Sequence, residues 1–324
     1  MISADTPRLS VVAPLYCEAG NVALLVKRLI AVLSAMNTSF EVILVDDGSS
    51  DATWEEIQAE CQADARVLGF RLSRNFGHQH ALLAGLHQAR GEAVISMDGD
   101  LQHPPETIPE LVAKWEAGFD IVKTVRRDKN VTGFMKRTTS RIFNKIFSFL
   151  TQVEIVEGTS DFRLLSRPAL NALLEMRDAR LFLRGTVQWL GFKSTQISYQ
   201  VEARHSGESK FSSRKLISYA VSAIFAFSTK PLQIGIWLGF LTTFLAVLEL
   251  VYILVAYSYG LSVEGWASTV GILSLLFGVL FVMLGIIGTY IANIHTMLQN
   301  RPKFIISEQA RHVHEDANPV RSIK

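Results

Sequence analysis

Asp98 and Asp100 stand one residue apart in SMDGDLQHPPE (96–106), directly after the short apolar run that begins at Ala93. Like charges repel, so two carboxylates turned toward one spot at the end of a buried strand call for compensation. A bound divalent cation would supply it; a solvated turn, with Asp98 serving only the chain reversal, is the alternative. Gln102 adds an amide oxygen to the same stretch. Mg2+ and Mn2+ are hard cations that take carboxylate and amide oxygens and can bring such a cluster to a diphosphate. Two further polar clusters share this setting: Tyr16 and Glu18 after LSVVAPL, and Asp46 and Asp47 after EVILV. Each alone reads equally well as a helix or turn cap, and three at one sheet edge argue for a site.

The elements that must position these residues show in the hydrophobic pattern. Runs 9–16, 41–47, 67–73, 93–97 and 119–125 are β-rich and apolar, and helical patterns alternate with them. That alternation predicts an α/β fold, a mostly parallel sheet with helices on both faces. Ligands in such folds sit at the carboxyl ends of the strands, where the three clusters fall. No G-x-G-x-x-G follows the first strand and no G-x-x-x-x-G-K-[ST] occurs, which disfavours a dinucleotide fold and a P-loop. A chain of 324 residues suggests more than one unit, and a net charge of +2 excludes a general coat for nucleic acid. Cys17 and Cys61 form neither a metal spacing nor a disulfide framework, which suits a reducing compartment. Residues 1–8 hold an acid and no apolar core, so no signal peptide is expected and the first domain is placed in the cytosol.

Mean hydropathy is +0.24, and the apolar excess falls after residue 231. Residues 234–257 and 267–294 are each long enough for a bilayer core of about 30 Å and are expected to be transmembrane helices within a 231–300 hairpin. The loop YSYGLSVEGW lacks Lys and Arg, whereas Arg214, Lys215 and Lys230 precede the first span and Arg301 and Lys303 follow the second. The charge bias places both termini in the cytoplasm, with 301–324 as a polar cytoplasmic tail. Glu249 would be costly facing lipid, so it is expected to face the neighbouring helix or another subunit, which keeps a homo-oligomer open. Residues 213–230 read as an amphipathic interfacial helix or as the first helix of the hairpin.

The motifs APLYCE (13–18), VDDGSSD (45–51), RNFG (74–77), MDGDLQHPPE (97–106) and RHSGESKF (204–211) stand in an order that resembles family 2 glycosyltransferases. Within that family the chain is most similar to the polyprenyl-phosphate branch, which holds dolichyl-phosphate mannose synthases and bacterial bactoprenol glucosyltransferases. The resemblance covers residues 9 to about 230, and the tail ending NRPKFII resembles the bacterial members. It implies a GT-A catalytic domain over 1–212, a UDP-sugar donor, glucose as the sugar, Mg2+ or Mn2+, and a polyprenyl (undecaprenyl) phosphate acceptor at the bacterial inner membrane. Residue by residue, it implies that Pro14, Tyr16, Glu18, Val45 and Asp47 line the nucleotide pocket. Asp98, Gly99, Asp100 and Gln102 match the metal and diphosphate region, with Asp98, Asp100 and Gln102 as metal ligands. Arg126, Arg204 and Lys210 match basic residues that contact phosphates, and Asp161, with Asp100, takes a catalytic role. The tail departs from the family's pattern: GTYIANIH stands where relatives commonly read GEYIGRIY.

Between Asp120 and Lys145 lie eight Lys or Arg and two Asp. Residues 134–150 interleave Lys136, Arg137, Arg141 and Lys145 with Ile142, Phe143, Ile146 and Phe147, the pattern of a basic amphipathic helix on a membrane surface. A nucleic-acid surface and an ordinary packing helix with a solvated basic face are the alternatives. With two spans following, lipid is favoured over nucleic acid, and Arg126, Lys136, Arg137 and Arg141 become the candidate acceptor-phosphate residues. His78, His80 and His87 are expected to pack or face solvent, and His103 and His205 border motifs without an assigned chemistry. The rival functions are a processive polysaccharide synthase, for which RGTVQWLG (184–191) lacks the Q-x-x-R-W arrangement, and a non-catalytic membrane anchor that kept the fold.

Overall fold

The computed structural model describes residues 6–126, 159–176, 183–200, 228–259 and 265–312. The strands are β1 (Leu9–Leu15), β2 (Phe40–Asp46), β3 (Val67–Leu72), β4 (Ala93–Ser96), β5 (Ile121–Arg126), β6 (Thr159–Ser166), β7 (Ser194–Tyr199) and β8 (Ile306–Ala310). The helices of the α/β unit are α1 (Val22–Ala35), α2 (Thr53–Ala63), α3 (His78–Gln88), α4 (Ile108–Glu116), α5 (Arg167–Glu175) and α6 (Leu183–Trp189). The eight strands form one sheet in the order β7-β5-β6-β4-β1-β2-β3-β8. β4, β1, β2 and β3 run parallel, as do β5 and β7, while β6 and β8 pair antiparallel to their neighbours.

β1 and β2 are buried at every position because both faces of the sheet are covered, and this is why they read as continuous apolar runs rather than as alternation. One face packs Leu25, Leu29, Trp54, Ile57, Ile108 and Leu111 of α1, α2 and α4. The other packs Leu82, Leu86, Leu170, Leu173 and Val187 of α3, α5 and α6. The fold is an α/β unit with a mostly parallel sheet, as the alternating pattern predicts, and this is the GT-A-like architecture that the family resemblance implies.

Two long helices follow: α7 (Lys230–Ser258) and α8 (Trp266–Leu298). Within them Lys230–Ala256 and Gly271–Leu298 have mean hydropathies of 2.3 and 2.6 and are candidate membrane spans. They run antiparallel: the Tyr290 hydroxyl donates to the Ser228 carbonyl at 2.6 Å, and a Cβ on Gly235 would stand 2.0 Å from Met283 Cε. The chain then returns to the sheet. Where the sequence pattern suggests only a polar tail, residues 306–310 form β8 against β3, with Gly69 opposite Ala310 and Phe70 opposite Gln309. Glu308 accepts from the Trp54 indole at 3.0 Å and from Arg71 at 3.1 Å, so this edge strand is fixed by side chains as well as by its ladder.

Candidate active site

The register sets Leu15 beside Asp46 and Val12 beside Ser96, so β1, β2 and β4 end at one edge of the sheet. Tyr16–Glu18, Asp46–Asp47 and Asp98–Gln102 therefore converge, as the strand pattern requires. The chain leaves this edge under strain. Cys17 and Leu101 adopt positive φ angles of 52° and 62°, a conformation that costs a residue with a Cβ about 1–2 kcal/mol. Gly99 sits so close to β1 that a Cβ would stand 2.3 Å from Leu15 Cδ2, so the turn carrying the two carboxylates is seated directly on the Pro14–Leu15 strand end.

The residues of the first two clusters differ in what occupies them. Tyr16 is exposed at the mouth, and Glu18 accepts from the Asn21 amide at 2.7 Å. Val45 is buried among the side chains under α3, so only its backbone can face a nucleotide. Asp47 is buried and accepts from the Phe76 and Gly77 amides at 2.7 and 2.9 Å, which ties the RNFG loop to the end of β2. Burial raises its carboxyl above the usual range against the lowering effect of those two amides. Asp46 accepts from the Ser49 amide at 2.9 Å and lies 3.3 Å from Arg71.

In the third cluster the Asp98 amide donates to His103 Nδ1 at 3.0 Å. His103 is fully buried, stacked on Phe162 and edge-on to Tyr199 with ring centroids 5.2 and 5.6 Å away. Because Nδ1 accepts, the neutral ring carries its proton on Nε2, which lies 3.6 Å from Asp98 Oδ2. Burial holds the imidazole below its ordinary pKa, although Asp98 pulls the other way. Asp100 accepts from the Gln102 amide at 3.2 Å, closing the turn. Arg126, at the end of β5, donates from Nε to the Tyr199 hydroxyl at 3.2 Å and so borders the same aromatic group.

Asp161, on β6 beside β4, is 2 % exposed and heavily partnered. Arg163 binds Oδ1, Arg184 binds both oxygens at 3.1 and 2.8 Å, and Gln79 donates to Oδ2 at 3.2 Å. Burial opposes the charge, but His78, Arg163 and Arg184 more than offset it and hold the carboxyl well below its ordinary range. His78, expected only to pack or face solvent, lies 3.3 Å from Asp98 Oδ1 and 3.7 Å from Asp161 Oδ2. For His78, burial works against protonation, yet the hydrogen bond to Asp161 and the charges of Asp98 and Asp161 raise the pKa overall.

A divalent cation fits this geometry at the Asp98 turn. Asp98 Oδ1 is buried and makes no hydrogen bond, its nearest cationic neighbour being His78 Nε2 at 3.3 Å, and a hard cation would give this oxygen the direct partner it lacks. Asp100 and Gln102 stand on the same turn. His78, Asp98 and Asp161 also present ligand atoms within 4.8 Å of one another. Of these, Asp161 is already neutralised by two guanidinium groups, whose charges would repel a metal ion, so Asp98 is the member suited to it.

The sequence profile described as "Glycosyl transferase family 2" matches residues 10–174, which spans all three clusters and Asp161. The chain belongs to glycosyl transferase family 2. It is 36% identical over 307 residues to an uncharacterized glycosyltransferase of Synechocystis sp., covering 94% of this chain and 96% of the relative. It is 33% identical over 305 residues to the SfII prophage-derived bactoprenol glucosyl transferase of Shigella flexneri, covering 94% and 99%. Among solved structures it is similar to glucosyl-3-phosphoglycerate synthase from Mycobacterium tuberculosis, at 20% identity and a TM-score of 0.45 over 68% of this chain and 78% of that one. That likeness is too loose to carry ligands across.

In this family 2 glycosyltransferase, then, Pro14, Tyr16, Glu18, Asp98, Gly99, Asp100, Gln102 and Asp161 gather at one sheet edge, with Arg126 at its β5 side. Lys136, Arg137, Arg141, Arg204 and Lys210, and most of the 213–230 segment, lie outside the described residues. The sequence pattern singles out none of Gln79, Arg163, Arg184 and Tyr199, whereas His103, expected to line the site without an assigned chemistry, packs against the Asp98 turn. For His78 and Gln79 a signal existed, since they directly follow RNFG at the end of β3, an edge where ligands bind.

Proposed function

We propose that the protein is a membrane-anchored, inverting glycosyltransferase that moves one sugar, glucose, from a UDP-sugar to a polyprenyl (undecaprenyl) phosphate at the cytoplasmic face of the inner membrane. The observation that carries this reading is full-length similarity: relatives named bactoprenol glucosyl transferase align over 93–94% of this chain, including both long apolar helices. A single-sugar transfer is also favoured over a polymer synthase because the two candidate spans among the described residues make a poor channel for a growing chain.

The nucleotide would lie across the β1 and β2 ends against Pro14, Tyr16, Glu18 and the Val45 backbone, with Arg126, Arg204 and Lys210 serving phosphates. Asp98, Asp100 and Gln102 would hold Mg2+ or Mn2+, whose chemistry is to neutralise the charge that develops on the departing diphosphate. An acceptor phosphate oxygen forms the new bond to C1 as the bond from C1 to UDP breaks, and attack from the opposite face converts an α-linked donor to a β-linked product. The second pKa of a phosphate monoester is near 6, so the attacking oxygen is already ionised and no base is required. Asp161 accordingly acts by position, holding Arg163, Arg184 and Gln79 around the reacting centre. The basic stretch with Lys136, Arg137 and Arg141 would meet the lipid phosphate.

The test is transfer by the full-length protein in detergent, with a panel of UDP-sugars and undecaprenyl phosphate, read by lipid mass spectrometry. A hexosyl-lipid formed from UDP-glucose, lost with EDTA and restored by Mg2+ or Mn2+, is expected. Donor turnover without any lipid product would refute the acceptor, and full activity in EDTA would refute the cation.

A further inference from the structure

Arg184, held near the reacting centre by Asp161, has so far been given no ligand of its own. It projects from the first turn of α6, and its side chain is 46% exposed, whereas the carboxylate it grips is 2% exposed. Asp161 has a second guanidinium from the inside: Arg163 is buried, follows it by two residues on β6, and binds the same Oδ1. Gln79 completes the shell at Oδ2. One buried arginine balances one buried aspartate, so Arg184 adds a cation beyond what Asp161 requires. With a dication on Asp98 and Asp100, that positive charge has no counter-charge left among these groups. A guanidinium has five N–H donors, and Arg184 commits Nε and Nη2 to Asp161, a grip that fixes the plane of the fork.

We propose that Arg184, aimed by Asp161, binds a phosphate group, and that this is the monoester phosphate of the acceptor; the assignment to the acceptor rests on the function proposed above. A fork held by one carboxylate and still half exposed suits a second oxyanion, since arginine engages phosphate through paired N–H bonds. The alternative source of the same chemistry is the donor diphosphate. The sheet order separates the two: β6, which carries Asp161, lies on the far side of β4 from β1 and β2, whose ends carry Pro14, Tyr16 and Glu18. The Asp98–Gln102 turn leaves β4 between them, so a diphosphate on that turn has the nucleotide on one side and Arg184 on the other. Arg184 is on the side from which an oxygen would approach C1. Asp161 is then a positioning residue whose effect passes through Arg184.

The experiment uses the full chain in detergent, as wild type, Arg184→Gln and Arg184→Lys. Arg184→Gln is expected to raise the KM for undecaprenyl phosphate by about tenfold or more, the worth of one charge-assisted hydrogen bond. Its calorimetric Kd for UDP with Mn2+ should stay within about twofold of wild type, and Arg184→Lys should recover part of the KM change because the charge returns without the fork. Equal weakening of UDP binding would make Arg184 a donor ligand, and an unchanged KM would remove it from the site; either result overturns the proposal. A rise in KM accompanied by equal losses of UDP affinity and melting temperature would show a purely structural arginine and overturn it as well. If the wild type transferred sugar to no lipid phosphate, the functional reading would fail separately. Inorganic phosphate titrated into the UDP-loaded protein would then decide the anion site. Thermal stabilisation present in wild type and absent in Arg184→Gln supports it, and equal stabilisation overturns it.

Discussion

At the scale of single residues, Asp161 and Asp98 show how two carboxylates one strand apart are given different tasks. Asp161 spends its oxygens on Arg163, Arg184 and Gln79, while Asp98 keeps one buried oxygen without a hydrogen-bond partner. A carboxylate held well below its ordinary pKa is a weak base, so proton removal is the wrong task for Asp161. Because its folded pKa is depressed, the stability it contributes is complete above about pH 4, the unfolded value, and is withdrawn as pH falls toward the folded one. We therefore expect a pH–rate profile between pH 6 and 9 that contains no ionisation of Asp161. Asp161→Asn should cost stability, about 3–5 kcal/mol by chemical denaturation, because Arg163 is left buried without its counter-charge. A wild-type pH–rate profile with a basic ionisation that Asp161→Asn removes would restore Asp161 to the role of base. Asp100→Asn should behave in the opposite way, keeping the melting temperature while lowering transfer by about 10²-fold or more through lost stabilisation of the leaving group. The D-x-D pair was legible because only Gly99 separates its members in sequence. The shell of Asp161 was not, since Gln79 lies 82 residues before it and Arg184 lies 23 after it.

At the scale of elements, β1, β2 and β4 were legible because burial at every position writes each as a nearly continuous apolar run, whereas β3 and β5 carry half-buried Arg71, Lys123 and Arg126 and show through their remaining β-branched and aromatic residues. β8 was not. ISEQA offers only Ile306 and Ala310 to the interior, and its partner strand lies more than two hundred residues earlier, so its local pattern resembles a solvated tail. What admits the strand is Gly69 on β3. A Cβ there would stand 2.6 Å from Ile57 Cγ2 and 3.2 Å from both Ala310 Cβ and Cys61 Sγ. Gly69→Val should force α2 and β8 away from β3, at the cost of about 1–3 kcal/mol typical of overpacking. Melting in detergent should fall, and the tail beyond Leu298 should become accessible to protease. Unchanged melting with a protected tail would show that β8 does not dock through this contact. The Asp98 turn is a similar case on a smaller scale, because Leu101 tolerates a positive φ only where Gly99 lets the turn press against β1.

At the scale of the whole molecule, β8 constrains how the α/β unit sits against the apolar pair. α7 and α8 run antiparallel, so Ser228 and Tyr290 mark the same end of the pair. From Leu298 to Ile306 the chain has seven intervening residues, which reach at most about 25 Å when extended. The sheet edge at β3 must therefore lie near that end of the helices, and the catalytic edge travels with it as part of the same sheet. If the pair spans a bilayer, the α/β unit and both segments flanking the pair share one side, and the 259–265 connection lies on the other. Charge then selects the side: Lys230, Arg301 and Lys303 flank the pair, and the connection carries no Lys or Arg. The expected arrangement is cytoplasmic for the α/β unit, next to the pool of UDP-sugars. Cysteine labelling tests it in a background free of Cys17 and Cys61. Burial already pushes the Cys61 thiol up to about 12 and makes it a poor nucleophile, so replacing it removes little reactivity. Tyr259→Cys, at a position 79% exposed, should react with an impermeant maleimide on intact cells. Gln309→Cys, on the exposed part of β8, should react only after lysis. Labelling of Gln309→Cys on intact cells would put the active site outside, separate it from its donor, and defeat the proposed function, whereas protection of both positions until lysis would show that the apolar pair does not cross the membrane.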